Sequence, residues 1–531
     1  MTTSFEDFSQ RRPYNAVTDF VDANVARGLG DKPAFGDGSR TLTYAELQQA
    51  TWRFARALGA LGLRQESRIA LLLLDTIDFP IAFWGSIRAG VVCIPLNTLL
   101  SAEQYAYMLD DSRAEAVLVS GPLAQTIAPV VGGLPHLRTI VIAGGTAADC
   151  AAFAGRPVHL LQEILADAKA EAWTAPTLSD EIAFWLYSSG STGAPKGTKH
   201  VHTSLIATAK LYGQGVLGIR EDDVVFSAAK LFFAYGLGNA MSFPMSVGAT
   251  AALLPGRPTP DAIFEVMRRE RPTLFFGVPT LYAGLLTRND LPRGAGSDRL
   301  RASVSAGEAL PAHIGHQWRE RVGVDILDGI GSTEMLHIFL SNRSSDIRYG
   351  SSGKPVPGYE ARILGEDGAE VGVDEVGELV IRGPSAAEGY WNQRARSRRT
   401  FAGEWTYTGD KYVRDADGYY HCRGRTDDMF KVSGVWVSPF EVEAALVSHE
   451  AVLEAAVIGK EDRDGLTKPK AFIVLKQGYT ADERLLDTLK EHVKEKAGPW
   501  KYPRWIDVRV DLPKTATGKI QRFVLRQQEA E

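Results

Sequence analysis

Tyr187-Ser-Ser-Gly-Ser-Thr-Gly-Ala-Pro-Lys-Gly197 follows an apolar run, Glu181-Ile-Ala-Phe-Trp-Leu186, and precedes a helix-like segment opening at Thr203. Gly190, Gly193 and Gly197 let the backbone approach an anion with its N–H groups exposed; Ser189, Ser191 and Thr192 add hydroxyl donors, and Lys196 adds a compact positive charge. A glycine-rich loop between a strand and a helix predicts an α/β fold with a polyphosphate bound at the junction. A Walker A loop needs Gly before the Lys and Ser or Thr after it. Here Pro195 and Gly197 flank Lys196, so the ordinary P-loop reading fails, while ATP stays the expected ligand. The plain alternative is a solvated Gly/Ser/Thr linker, but such linkers rarely follow directly on a buried-strand pattern with one Pro and one Lys in this order.

Outward from this loop, between Arg68 and Asp328, short apolar runs alternate with helical patterns: Ile69–Leu74, Val91–Pro95, Ala116–Val119, Thr139–Ile142, Thr273–Gly277, Ser303–Ala306 and Val324–Leu327. That alternation predicts βαβ units and parallel sheets with helices on both faces. Helices are expected over Asp78 to Gly90 and from Pro260, where a proline at the first helical position loses no hydrogen bond. After Gly350 the texture changes to short strands punctuated by Gly and Asp turns, an antiparallel or barrel-like region. Beyond Asp427 lies a segment with its own pattern: a strand-turn-strand around Ser433-Gly434, a helix over Phe440–Val447 announced by the capping box Ser438-Pro-Phe-Glu441, more strands, and a helix near Leu485–Lys496. The fold class is therefore α/β. A large domain over 1–426 carries βαβ sheets and then the barrel-like region, and a small α+β domain follows over 427–531.

The 531 residues exceed the roughly 100–200 of a single ordinary domain. A net charge of −5 offers no attraction to nucleic acid or anionic lipid. The longest apolar stretches fall short of the ~20 residues that span a bilayer, and the first residues show no secretory signal, so a cytoplasmic protein is expected. Cys93, Cys150 and Cys422 lie far apart, in neither disulfide nor zinc spacing, and read as buried small apolar residues.

Together with the loop, Gly329-Ile-Gly-Ser-Thr-Glu334, Gly377-Glu-Leu-Val-Ile-Arg-Gly383, Tyr407-Thr-Gly-Asp410, Gly424-Arg-Thr-Asp427 and Pro513-Lys-Thr-Ala-Thr-Gly-Lys519 occur in an order that resembles the acyl-adenylate-forming superfamily from end to end. The resemblance implies activation of a carboxylic acid by ATP and Mg²⁺, then transfer to a thiol, with CoA expected as acceptor. By that resemblance Ser188, Ser189, Gly190, Ser191, Thr192, Gly193 and Lys196 hold the β- and γ-phosphates. Thr333 contacts the α-phosphate, and Glu334 is the Mg²⁺ ligand. Gly307, Glu308 and Ala309 pack around adenine, Asp328 meets its amino group, Gly329 belongs to the same ATP/AMP site, and Asp410 and Arg425 take the ribose. Lys519 is the catalytic lysine that bridges acid and α-phosphate. Asp427 is the hinge about which the last domain turns between half-reactions, and Lys431, Ser433, Gly434 and Trp436 line the pantetheine channel.

Phe233, Ala234 and Tyr235 suit a flat, short slot for an aromatic ring, with ordinary core packing as the alternative for Phe232 and Phe233. Phe232-Phe-Ala-Tyr-Gly-Leu-Gly-Asn239, Asp328–Phe339 and Gly465-Leu-Thr-Lys-Pro-Lys470 narrow the resemblance to bacterial benzoate-CoA ligases. This implies a ring and carboxylate pocket of Phe233, Ala234, Tyr235, Gly236, Ile330, Gly331 and His337. His337 can donate to the carboxylate or accept from a ring hydroxyl, which leaves hydroxy-, amino- and halobenzoates open; a homodimer is open too. A noncatalytic aromatic-acid or nucleotide sensor is disfavoured because binding alone needs no Lys519. An oxidoreductase is disfavoured because Met241 stands where the dinucleotide pattern begun by Gly236 and Gly238 needs a small residue.

Overall fold

Strands rich in Val, Ile, Leu and Ala, without polar alternation, assemble into two largely parallel sheets buried on both faces. The computed structural model describes residues 8, 10–153, 155–190, 193–426, 428–432, 435–463, 466–514 and 520–530. Ser191, Thr192, Asp427, Ser433, Gly434 and Lys519 lie outside the described residues, as do the side chains at 189, 190, 193, 431 and 436.

One sheet has seven strands in the order Val158–Leu160, Thr139–Ala143, Ala116–Ser120, Arg68–Leu72, Val92–Pro95, Ile182–Gly190 and Gly193–Val201. All neighbours are parallel except the last pair, which forms an antiparallel hairpin with Ser188 opposite Lys196. Residues 187–190 and 193–197 of the predicted phosphate loop thus lie in the paired arms of a hairpin, the second of which runs straight into the helix His202–Thr208. The other sheet has nine strands in the order Lys354–Pro355, Ile338–Ser341, Ile326–Gly331, Ala302–Ser305, Leu274–Gly277, Val224–Ser227, Thr250–Ala252, Pro33–Gly36 and Thr41–Thr43. Its inner pairs from Ile326–Gly331 to Pro33–Gly36 are parallel, so the carboxyl ends of three adjacent strands finish side by side at Gly277, Ser305 and Gly331. A single apolar cluster joins the two sheets, with Phe184 and Leu186 on one side and Val304, Leu327 and Ile338 on the other.

The expected helices form as Asp78–Arg88 and Pro260–Glu270, the latter capped by Thr259. The helix that follows Phe233 runs from Ala234 through a π-helical turn, Gly238–Ser242, to Val247. Gly236 and Gly238 serve packing here: a Cβ on Gly236 would lie 2.0 Å from the carbonyl oxygen of Lys230, and one on Gly238 would lie 2.3 Å from the ring of His337. After Gly350 the strands form a five-stranded antiparallel sheet of Glu360–Leu364, Gly377–Arg382, Trp405–Arg414 and Phe401–Ala402, with Tyr420–Arg425 also paired to Trp405–Arg414.

Toward the carboxyl end, a hairpin of Phe430–Val432 and Val435–Val437 leads to the helix Pro439–Val447. A three-stranded sheet of Val452–Glu461, Thr467–Leu475 and Trp505–Val508 follows, with the helix Glu483–Ala497 inserted. These elements pack on their own cluster around Val442, Leu446, Val457, Ile473 and Leu489. Ser438 caps its helix by accepting from the Glu441 N–H at 3.3 Å, but only that half of the expected capping box forms. The Glu441 carboxylate turns instead to Lys501 at 2.5 Å, where a full opposite charge outcompetes a backbone donor. The cysteine expectation holds for Cys93, which is buried; Cys150 and Cys422 are half-buried. Among the described residues no helix is long and apolar enough to cross a membrane.

Candidate active site

The hairpin and the strand ends meet at one ion pair. Lys196 Nζ donates to Glu334 Oε1 at 2.9 Å, and both are largely withdrawn from solvent. Glu334 sits in the loop Ser332–His337, which the antiparallel pairing of Ile326–Gly331 with Ile338–Ser341 makes so short that Leu336 takes φ +64°. Its backbone is fixed from several sides: Thr333 O accepts from His200 Nε2 at 2.8 Å, Glu334 O from Ala387 N at 2.8 Å, and Met335 O from Ser385 Oγ at 2.7 Å. Burial alone would raise the Glu334 carboxyl, but the Lys196 charge and hydrogen bonds from Lys196 and Tyr390 outweigh it and hold the group ionised. Among the described residues no group of three or more His, Cys, Asp or Glu side chains could hold a metal ion. One half-buried carboxylate suits Mg²⁺ that arrives already bound to phosphate and water oxygens. Ser188 Oγ is buried and unpaired in the first arm of the hairpin.

Beside this pair, Ala302–Ser305 ends in Gly307, Glu308 and Ala309, and Gly307 adopts φ +100°, a conformation that favours glycine. Glu308 accepts from the backbone N–H of Ile520 at 3.3 Å, so the residue following Lys519 reaches these strand ends. Asp328 stands opposite Ser305 in register and is buried, with Leu310 N donating at 3.4 Å to Oδ2 and Oδ1 unpaired. Burial pushes its carboxyl up to about 8. A Cβ on Gly329 would lie 2.7 Å from the carbonyl oxygen of Leu340, which keeps that position small. Asp410 and Arg425, expected at the ribose, face each other across their strands, with Nη1 3.0 Å from Oδ1.

Several of the residues expected around the ring lie close to one another. Phe232 belongs to the core, whereas Phe233, Ala234 and Tyr235 are half-buried and pack against it, as does Ile330. Tyr235 spans the gap to the strand ends, donating toward Gly277 O at 3.2 Å and Val304 O at 3.1 Å. Lys230 anchors the start of this segment: it donates to Gly256 O at 2.7 Å and lies 3.8 Å from the buried Asp75, which burial pushes up to about 6. Gly331 must lack a Cβ because His337 O would lie 2.5 Å away. His337 is packed between Tyr212, Tyr235 and Phe243, and its burial lowers its pKa to about 3, so the ring is neutral. Nε2 faces two acceptors, Tyr235 O at 3.2 Å and Asn239 Oδ1 at 3.1 Å, and therefore carries the proton. Nδ1 is left as a buried, unpaired acceptor.

His200 and Tyr390 escape the sequence reading. His200 lies in the second hairpin arm with its ring stacked on Phe184. Tyr390 belongs to Glu388-Gly-Tyr-Trp391, whose only sequence signal is a pair of aromatics after a glycine in an otherwise polar connection.

Residues 22–391 match the family described as AMP-binding enzyme, and residues 441–519 match the AMP-binding enzyme C-terminal domain. The chain is 55% identical over 517 residues, 97% of this chain and 94% of the relative, to the 4-hydroxybenzoate–CoA/benzoate–CoA ligase of Rhodopseudomonas palustris. It is likewise 55% identical over 534 residues, 99% of each chain, to the benzoate–CoA ligase of Thauera aromatica. A benzoate CoA ligase from Burkholderia xenovorans LB400 has a similar crystal structure, with a TM-score of 0.89 at 49% identity over 97% of this chain and 100% of that one.

Proposed function

The chain belongs to the AMP-binding enzyme family, and from that premise we propose that it is an AMP-forming aryl-CoA ligase, converting benzoate, ATP and CoA to benzoyl-CoA, AMP and pyrophosphate through a benzoyl-adenylate. One observation carries the reading: the residues proposed for the ring and for the polyphosphate are neighbours on one stretch of chain, Ile330 and Gly331 closing the strand Ile326–Gly331 and Thr333 and Glu334 in the loop just after it, where Glu334 pairs with Lys196. Attack of a carboxylate oxygen on the α-phosphorus demands that adjacency. The named activities of the full-length relatives support benzoate as the acid.

In this reading Lys196 neutralises the β- and γ-phosphates, and Glu334 takes the Mg²⁺ that enters with them. Asp410 and Arg425 fix the ribose, Asp328 meets adenine, and Phe233, Ala234, Tyr235 and Gly236 hold the ring flat against Ile330. Lys519 stabilises charge between the carboxylate and the α-phosphate; the contact of Ile520 with Glu308 supports its delivery to this edge. The division at Asp427, with that residue as hinge and with Lys431, Ser433, Gly434 and Trp436 along the thiol channel, belongs to the same proposal. A cytoplasmic location suits a chain that consumes ATP and CoA.

A second reading, for hydroxy- or aminobenzoates, is favoured by the unpaired Nδ1 of His337, an acceptor that a ring hydroxyl or amine can satisfy. Pyrophosphate and AMP release with Mg-ATP, measured across benzoate, hydroxybenzoates, aminobenzoates and a medium-chain fatty acid with and without CoA, separates these readings. CoA-dependent AMP formation is expected with benzoate and none with the fatty acid; release driven by the fatty acid, or by no acid at all, contradicts the assignment.

A further inference from the structure

Residues 385–391 form a strap between the two halves of the site. On one side, Glu388 N and Gly389 O exchange hydrogen bonds with Lys199 O and N at 3.0 and 3.1 Å, and Trp391 N donates to Gly197 O at 2.8 Å, so the segment lies antiparallel along the second hairpin arm, with Tyr390 bridged to Thr198. Trp391 locks it there, packing on Trp185 with ring centroids 4.7 Å apart and donating to Asp111 O at 2.8 Å. On the other side, Ser385 and Ala387 hold the backbone of Met335 and Glu334.

Tyr390 lies in the middle of this strap and is 4% exposed. Its hydroxyl donates to Glu334 Oε1 at 2.8 Å and accepts from Lys196 Nζ at 2.8 Å, closing a triangle with the 2.9 Å ion pair. The ammonium also lies 4.2 Å from the centroid of its ring. The Tyr390 backbone is fixed by Ser397 Oγ, which accepts from its N–H at 2.9 Å, and its ring packs against that of Phe401.

We propose that Tyr390 is a positioning residue for the triphosphate: its hydroxyl holds Lys196 and Glu334 at a single point, so that a nucleoside triphosphate and its divalent cation meet a preset cation and a preset carboxylate. The inference rests on the phosphate-binding reading of Lys196 and Glu334. Without the hydroxyl, the long Lys196 side chain must be ordered when the triphosphate binds, and Glu334 loses a donor that keeps its carboxylate oriented. AMP lacks the β- and γ-phosphates that Lys196 would meet, so its binding should not depend on Tyr390.

Tyr390→Phe keeps the ring, its packing and its face toward the ammonium. Isothermal titration of the full chain with Mg-ATP, without any acid, should give a dissociation constant raised about 10-fold, the cost of one hydrogen bond to charged groups, while that for AMP stays within roughly 2-fold. The KM for ATP should rise by the same factor with kcat changed less. Parallel weakening of ATP and AMP, or no change in either, overturns the proposal. Should the variant fold poorly, hydrogen exchange of 385–400 in the unaltered protein decides: protection by Mg-ATP and not by AMP is expected, and equal protection overturns it. Failure of the unaltered protein to bind Mg-ATP removes the ligase reading and this inference together.

Discussion

A carboxyl with almost no solvent contact and one long donor, as Asp328 has, cannot stay ionised at neutral pH; burial pushes it to about 8, from an ordinary value of ~3.9. The protonated group presents a carbonyl acceptor and an O–H donor, the same pair a carboxamide presents, so Asp328→Asn should change the KM for ATP at neutral pH by less than about 5-fold, roughly one neutral hydrogen bond's worth. The stability effect has a definite sign. Because the folded pKa lies above the unfolded one, the contribution of Asp328 is fully present below ~4 and is lost as pH rises through about 8. The Asn variant carries no such loss, and its stability relative to the parent should rise by ~2 kcal/mol or more between about pH 5 and pH 8, read from denaturant midpoints. A difference that does not vary with pH would mean that Asp328 is ionised and paired. Asp328, Glu334 and Lys196 could be singled out in the sequence because each sits in a short motif whose local spacing suggests the chemistry. Tyr390 was not, since its hydroxyl meets Lys196 across 194 residues of chain and no local pattern encodes that meeting.

Elements followed the sequence where their causes are local. Continuous apolar runs became parallel strands, Thr259-Pro260 started a helix, and Ser438-Pro439 started another. The described residues of the predicted phosphate loop pair as a hairpin, and the capping box at Glu441 half-formed because the charge of Lys501, 60 residues on, draws its carboxylate away. The same non-local logic governs the last helix, Arg522–Ala530. Arg522 donates to both oxygens of the buried Glu443, at 2.9 and 2.6 Å, while its guanidinium lies 4.4 Å from the centroid of the Phe440 ring; Asp428 is shared between Arg522 and Arg526. Arg522→Met would leave Glu443 buried with only the Val457 N–H among these donors, and removing one partner of such a pair costs about 3–5 kcal/mol. Calorimetry should show the carboxyl-terminal elements melting as a separate, earlier transition, since they pack on their own apolar cluster. An unchanged single transition would show that the network contributes little and that these elements draw their stability from the rest of the chain.

At the scale of the whole molecule, the site is assembled from three bodies of chain: the hairpin of one sheet, the strand ends of the other, and the segment around Ile520 that reaches Glu308. Such an assembly can run two half-reactions in one place if the third body is needed for only one of them. The proposed role of Lys519 makes that division testable. Adenylation builds charge on the α-phosphate and the attacking carboxylate, and loss of one preorganised cationic donor there should slow it by about 10²–10³-fold. Attack of the CoA thiol on an existing acyl-adenylate places charge on the acyl oxygen and expels AMP, with the phosphoryl chemistry already finished, so Lys519 has no part in it. Lys519→Ala, supplied with benzoate, Mg-ATP and CoA, should therefore form almost no AMP. Supplied with synthetic benzoyl-AMP and CoA, it should release benzoyl-CoA at nearly the parent rate, followed by chromatography of the thioester. Equal loss in both assays would place Lys519 in the thiol step or in holding the bodies together, and the separation of the two half-reactions by domain movement would have to rest on other residues.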